Sequence, residues 1–334
     1  MVTASTPDLL RLVAVPAFAY AAWTDLRTRR VTNRLWPPLV ALGVVLLAVD
    51  GVGRVPPATL GDRLFLVRVG ASVGILVPLS YAFWRLGGFG GADAKAFMTV
   101  AVLLPTYPTY FLPGVALPAV RTRVGLFSLT VVTNCVLLGL TYPLAVGVRN
   151  AVAGAFAPVM FLARRVPVDS LGDRHGRLFE TRSGRTRRGL DLDALRMYLR
   201  WRGTTLSALR AAPERHRDPT GVGETREVGD GGVDGTPVAD GGVNAADETA
   251  AASGDPGASD DPWGAERFAA EVGEPYGATP AVLREGLEVV ADPGRERVWV
   301  SPGLPFVVPL FVGLLVALTY GDLLFGLLRA VGGV

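Results

Sequence analysis

Two aspartates, Asp25 and Asp93, are the residues whose type and setting point most directly to chemistry. Each stands at the edge of a long apolar run, not in an open polar stretch. A carboxylate beside hydrocarbon is costly to keep charged, so acids in such places mark functional sites by default. Asp322 is a third acid within an apolar segment. Two carboxyl groups held together cannot both ionise cheaply; one keeps a proton and the other acts as a base. The ionised partner can activate water while the protonated one polarises a peptide carbonyl. That is aspartic peptidase chemistry, and it needs neither a metal nor a nucleophilic side chain. Such a pair titrates as a unit, so the sequence assigns neither role to Asp25 or to Asp93.

The remaining composition narrows the choice. Cys135 is the only cysteine and sits within an apolar run, which excludes an internal disulfide and a cysteine-based zinc cluster. The two histidines, His175 and His216, lie in a polar stretch, so no histidine-ligated metal is expected. No cofactor and no nucleic-acid partner is expected. The formal net charge is +3, and Lys95 is the only lysine among cations that are otherwise arginine. It follows Asp93 by two positions, behind the glycine-rich run Gly87-Gly88-Phe89-Gly90-Gly91-Ala92. Glycines before the acid let the chain bend and let another backbone approach closely.

The elements that must position these acids are membrane helices. Half of the 334 residues are hydrophobic and mean hydropathy is +0.36, too apolar for an ordinary soluble chain of this length. A bilayer core requires roughly 20 apolar residues in a helix. Such runs occur at about 9–24, 35–49, 64–84, 94–112, 124–148 and 303–328. The expected fold is therefore all-α: a six-transmembrane-helix bundle with a cytoplasmic, partly disordered insertion before the last helix. Arg27, Arg29, Arg30 and Arg34 follow the first run, and Arg85 and Lys95 flank the loop after the third. By the positive-inside rule these loops are cytoplasmic and both termini lie outside. Residues 150–163, ending at Arg164-Arg165, read as an interfacial helix that closes a membrane core at 1–163. The polar stretch 164–300 reads as cytoplasmic, and 301–334 as the last membrane segment. Within the polar stretch, Asp191 to Arg202 has Leu192, Leu195 and Leu199 on one helical face. Thr279-Pro280 reads as a helix start, Val298-Trp299-Val300 as a strand or the lead-in to the last helix, and 213–262 as a disordered linker.

This topology sorts the acids. Asp25 ends the first helix and Asp93 begins the fourth, with two crossings between them, so both are expected at one depth near the cytoplasmic face. Asp322 falls roughly 18 residues into the last helix, roughly 27 Å deeper, which keeps it out of the pair. An aspartate at a helix N-terminus also serves as a simple cap, which is the plainer reading of Asp93.

Asp25-Leu26-Arg27-Thr28-Arg29-Arg30-Val31-Thr32-Asn33 resembles the first catalytic motif of type IV prepilin peptidases. That motif is an Asp, a basic residue two positions on and an Asn eight positions on. Gly90-Gly91-Ala92-Asp93 resembles their second motif, Gly-x-Gly-Asp, with Ala92 in place of its second glycine. The resemblance is closest to the archaeal branch, which includes preflagellin peptidases, and covers about 1–150 and 300–334. It implies a GxGD-type aspartyl intramembrane peptidase with Asp25 and Asp93 catalytic. Arg27, Arg30, Asn33, Gly90, Gly91 and Lys95 are then candidate supporting or substrate-binding residues. The implied substrate is a prepilin or pre-archaellin, cut on the cytoplasmic side of its hydrophobic helix. Bacterial relatives also methylate the new N-terminus and carry a four-cysteine zinc domain; the single cysteine here implies cleavage without methylation. A presenilin-like protease of other substrates, and a small transporter or membrane anchor, stand as alternatives.

Overall fold

The computed structural model describes residues 3–28, 31–86, 89–186, 188–233, 261–303 and 306–332. The chain is mostly helical and forms two compact units, Met1–Tyr142 with Pro305–Val334 and Pro143–Leu304. The first division falls inside a helix, at Pro143, where the sequence reading places it at 163.

In the first unit, α1 (Thr6–Arg11) leads into α2 (Ala14–Thr28). A 3-10 turn at Asn33–Leu35 precedes α3 (Trp36–Gly51). The next stretch starts at a capping box between Thr59 and Asp62 and comprises α4 (Leu60–Ala71), a π-helical turn (Ser72–Leu76) and α5 (Val77–Arg85). Pro78 has no N–H to close the preceding turn, which accounts for the wide turn there. α6 spans Gly91–Leu103 and is followed by a hairpin of β1 (Tyr110–Leu112) and β2 (Val115–Leu117). α7 runs from Phe127 to Val152.

Four stretches are long and apolar enough to cross a membrane: Thr6–Thr28, Asn33–Gly51, Leu60–Arg85 and Phe127–Val152. Their outward residues, among them Val44, Val45, Val49, Leu140 and Leu144, are exposed and apolar. Helices apolar on the outside as well as the inside belong in lipid. The helix expected at 94–112 stops at Leu103, because Pro105 and Pro108 lack amide hydrogens and push their predecessors out of helical geometry. The expected interfacial helix at 150–163 is also absent: α7 ends at Val152, and turns built around Gly154 and Pro158 follow.

The second unit opens with β3 (Arg164–Pro167), β4 (Arg177–Leu178) and a short hairpin of β5 (Glu180–Thr181) and β6 (Gly184–Arg185). α8 (Leu192–Trp201), α9 (Leu206–Ala211), α10 (Pro213–Arg217), α11 (Ala265–Val272) and α12 (Pro280–Ala291) follow. β7 (Arg297–Ser301) lies between β3 and β4 in an antiparallel sheet, so Val298-Trp299-Val300 is a strand. Asp191 caps α8 and Thr279 caps α12, and Leu192, Leu195 and Leu199 are buried in the unit's core with Tyr198, Trp201, Trp263 and Phe268. The linker expectation needs correction over 213–233. That stretch contains α10, buries Val222 in the core and donates the Arg226 amide to the Trp201 carbonyl at 3.0 Å. Residues 234–260 lie outside the described residues.

The last apolar segment returns to the first unit as α13 (Val307–Thr319) and α14 (Leu323–Ala330). The single helix expected at 303–328 breaks at Gly321, whose φ of +106° a side chain would resist. The first unit's core is built from Phe18, Ala21 and Ala22 of α2, Ala96, Phe97 and Val100 of α6, and Leu310 and Leu314 of α13. α3 lies close on α6 because Gly43 has no Cβ; one would sit 2.9 Å from the Leu103 Cα.

Candidate active site

α2 and α6 run antiparallel, and a contact at one end fixes what meets at the other. At the start of the bundle the Arg11 guanidinium donates to the Leu103 carbonyl, the last residue of α6, at 3.0 Å. Arg11 is 3% exposed and pairs with Asp8 at 3.0 Å and with Asp50. From there α2 carries the chain away to Asp25, and α6 starts from Asp93 at that same far end. Asp25 and Asp93 are close enough for their charges to repel each other. One carboxylate oxygen of Asp25 is buried. The two acids picked from sequence thus lie at one end of the unit, within electrostatic reach of each other.

The local geometry of Asp93 follows from its glycines. Gly90 is the N-cap of α6, and its amide donates back to Asp93 Oδ2 at 3.2 Å. A Cβ on Gly90 would lie 3.0 Å from that oxygen. The cap reading of Asp93 is therefore true as local structure, and the same contact holds its carboxyl at the start of α6. Gly91 is the first residue of the helix. Lys95, two residues on, donates to Asn33 Oδ1 at 2.7 Å, which joins α6 to the turn before α3. Arg27 stacks instead on Trp23 of its own helix, 4.8 Å from the ring centroid. Arg30 lies outside the described residues.

Asp322 is placed elsewhere. It caps α14 through the Phe325 amide at 2.9 Å, accepts from the Thr130 hydroxyl at 2.8 Å and is 3% exposed. Thr130 lies one turn into α7, whose first amide bonds Pro105 just past the end of α6. Asp322 therefore sits at the Leu103 end, opposite Asp93.

Sequence reasoning missed the aromatic wall next to the acids. Phe89 stacks on Phe97 at 5.2 Å and on Phe83 at 5.1 Å, and Phe306 closes on both Phe89 and Phe97. Phe97 follows Asp93 by one helical turn, and that spacing was the available signal. Phe306 could not have been found this way, since it arrives from the far end of the chain.

Residues 12–144, which contain both acids, match the type IV leader peptidase family, and residues 265–323 match the type II C-terminus of archaeal A24 peptidases. The first of these matches takes in α2 through α6, the stretch that carries both acids. The chain is 30% identical over 128 residues to prepilin peptidase EppA of Methanothermobacter thermautotrophicus. That match covers 37% of this chain and 31% of the relative, about a third of the relative's length. No solved structure matches.

Proposed function

We propose that the chain is a membrane aspartic endopeptidase that removes the leader from type IV pilin-like or archaellin-like precursors, with Asp25 and Asp93 as its catalytic pair. The observation that supports this reading is that both carboxyl groups lie at one end of an apolar bundle, near enough for the Asp25 charge to act on Asp93, inside the segment that matches the leader peptidase family. The ionised carboxylate takes a proton from water as it attacks the scissile carbonyl. The protonated partner donates to the carbonyl oxygen, and the resulting tetrahedral species collapses with proton return to the leaving amine. Gly90 and Gly91 leave room for an extended peptide beside Asp93. Lys95, held to Asn33, keeps a cation near the site, and Arg27 and Arg30 remain candidate substrate contacts.

In this reading six segments span the membrane: α1–α2, α3, α4–α5, α6, α7 and α13–α14. The arginines after the first span support an orientation with the acids at the cytoplasmic face and both termini outside. Co-expression with a prepilin tests the proposal. Asp25→Asn and Asp93→Asn should each reduce leader removal at least about 100-fold while the protein still accumulates in membranes. Normal processing by either variant refutes the assignment.

A further inference from the structure

We propose that the second unit carries a binding site for an anionic phospholipid headgroup, in a cavity of about 570 Å³ beside the end of α7. The alternation of the sheet builds this cavity. Val166, Val298 and Val300 face the core of the unit, so Arg165 on β3 and Arg297 and Trp299 on β7 face the other way and line the cavity. Arg185 on β6 adds a third exposed cation. Arg295 and Glu180 form its inner wall, paired at 2.7 Å, with Glu180 also accepting from the Trp299 amide at 3.0 Å. Among the described residues no carboxylate is within ion-pairing distance of Arg165, Arg185 or Arg297. With Glu296 and Glu180 counted, cations outnumber acids in the lining, so an anion is the complementary occupant.

The rim identifies the source of that anion. Gly154, Ala155 and Phe156 line the cavity and follow the last residue of α7 by only two to four positions. α7 has the length and composition of a membrane span, so this rim emerges at the membrane surface. Val152, Phe156, Phe161 and Leu162 are exposed there, Val152 at 85% and Phe156 at 74%. Arginines that bind phosphate, set beside apolar side chains that can enter the acyl region, match a phospholipid better than a free anion. The site rests on α7 as a membrane span and not on the peptidase reading, and its test does not use cleavage.

The experiment is native mass spectrometry of the full chain in detergent, with equal amounts of phosphatidylglycerol and phosphatidylcholine added. The wild type should retain phosphatidylglycerol in preference, and the Arg165→Gln/Arg297→Gln variant should lose that preference about tenfold or more. Arg185→Gln, on an exposed hairpin, should lower it even if the double variant does not fold. Phe156→Ser should weaken phosphatidylglycerol retention without altering retention of inorganic phosphate. Equal retention of both lipids by the wild type, or a preference untouched by these arginine variants, overturns the site. Inorganic phosphate that displaces phosphatidylglycerol, with Phe156→Ser without effect, overturns the lipid assignment.

Discussion

At the scale of single residues, Asp93 shows how one carboxyl can be both a helix cap and a candidate catalyst. The Gly90 amide grips Oδ2, and the missing Gly90 side chain leaves that oxygen its place. Gly90 has φ −65° and ψ 155°, which alanine adopts without strain, so Gly90→Ala should leave the melting temperature unchanged. Its Cβ would press on the carboxyl, and a displacement of that size should lower cleavage about 10- to 100-fold in a steady-state assay. The Lys95–Asn33 contact is exposed and adds little to stability. Lys95→Ala and Asn33→Ala should therefore impair cleavage to the same degree, and the double variant should be no worse than either single one. In the second unit, burial pushes Asp191 up to about 6, against the opposing effects of the Asp193 amide and Arg177 and Arg196. A raised carboxylate contributes its stability fully below its unfolded pKa and loses it as pH rises through 6. Asp191→Asn keeps the cap, so its stability advantage over wild type should grow by about 2–3 kcal/mol between pH 4 and 7 in thermal unfolding. Asp25 and Asp93 were legible in the sequence because acids at the edge of long apolar runs stand out. The Asn33–Lys95 contact was not, since no local pattern links residues 62 positions apart.

At the scale of elements, the site depends on α2 and α6 being held with their acids at one end, α2 against α13 and α6 against α3, and Arg11 pins the end away from the acids. Arg11→Met would leave Asp8 and Asp50 without their buried cation and the Leu103 carbonyl without its donor. Losing one member of such a group costs about 3–5 kcal/mol, which a lower thermal midpoint and reduced cleavage should both report. The long apolar runs announced α2, α3 and α7 directly. Where hydropathy alone set the bounds, they were wrong: Pro105 and Pro108 end α6 early, and Gly321 splits the last helix. The role of Arg11 was not legible, because its partners, Asp8 apart, come from α3 and α6, and only folding joins them.

At the scale of the whole molecule, the chain combines an apolar bundle with a second unit that has its own aromatic core. Low hydrophobicity and many glycines made 213–233 read as linker, yet Val222 and Arg226 tie it to that core. Deleting 213–233 should expose the second unit to limited proteolysis while the membrane segments stay inserted. The central claim is that Asp25 and Asp93 meet. It is tested by replacing both with cysteine in a Cys135→Ser background and adding a short bifunctional thiol reagent in membranes. Linked peptides are then read by mass spectrometry, with an Asp25→Cys/Asp322→Cys pair as comparison. Rapid linkage of positions 25 and 93, with none between 25 and 322, is the predicted result; linkage of 25 and 93 no faster than that of 25 and 322 would contradict the account.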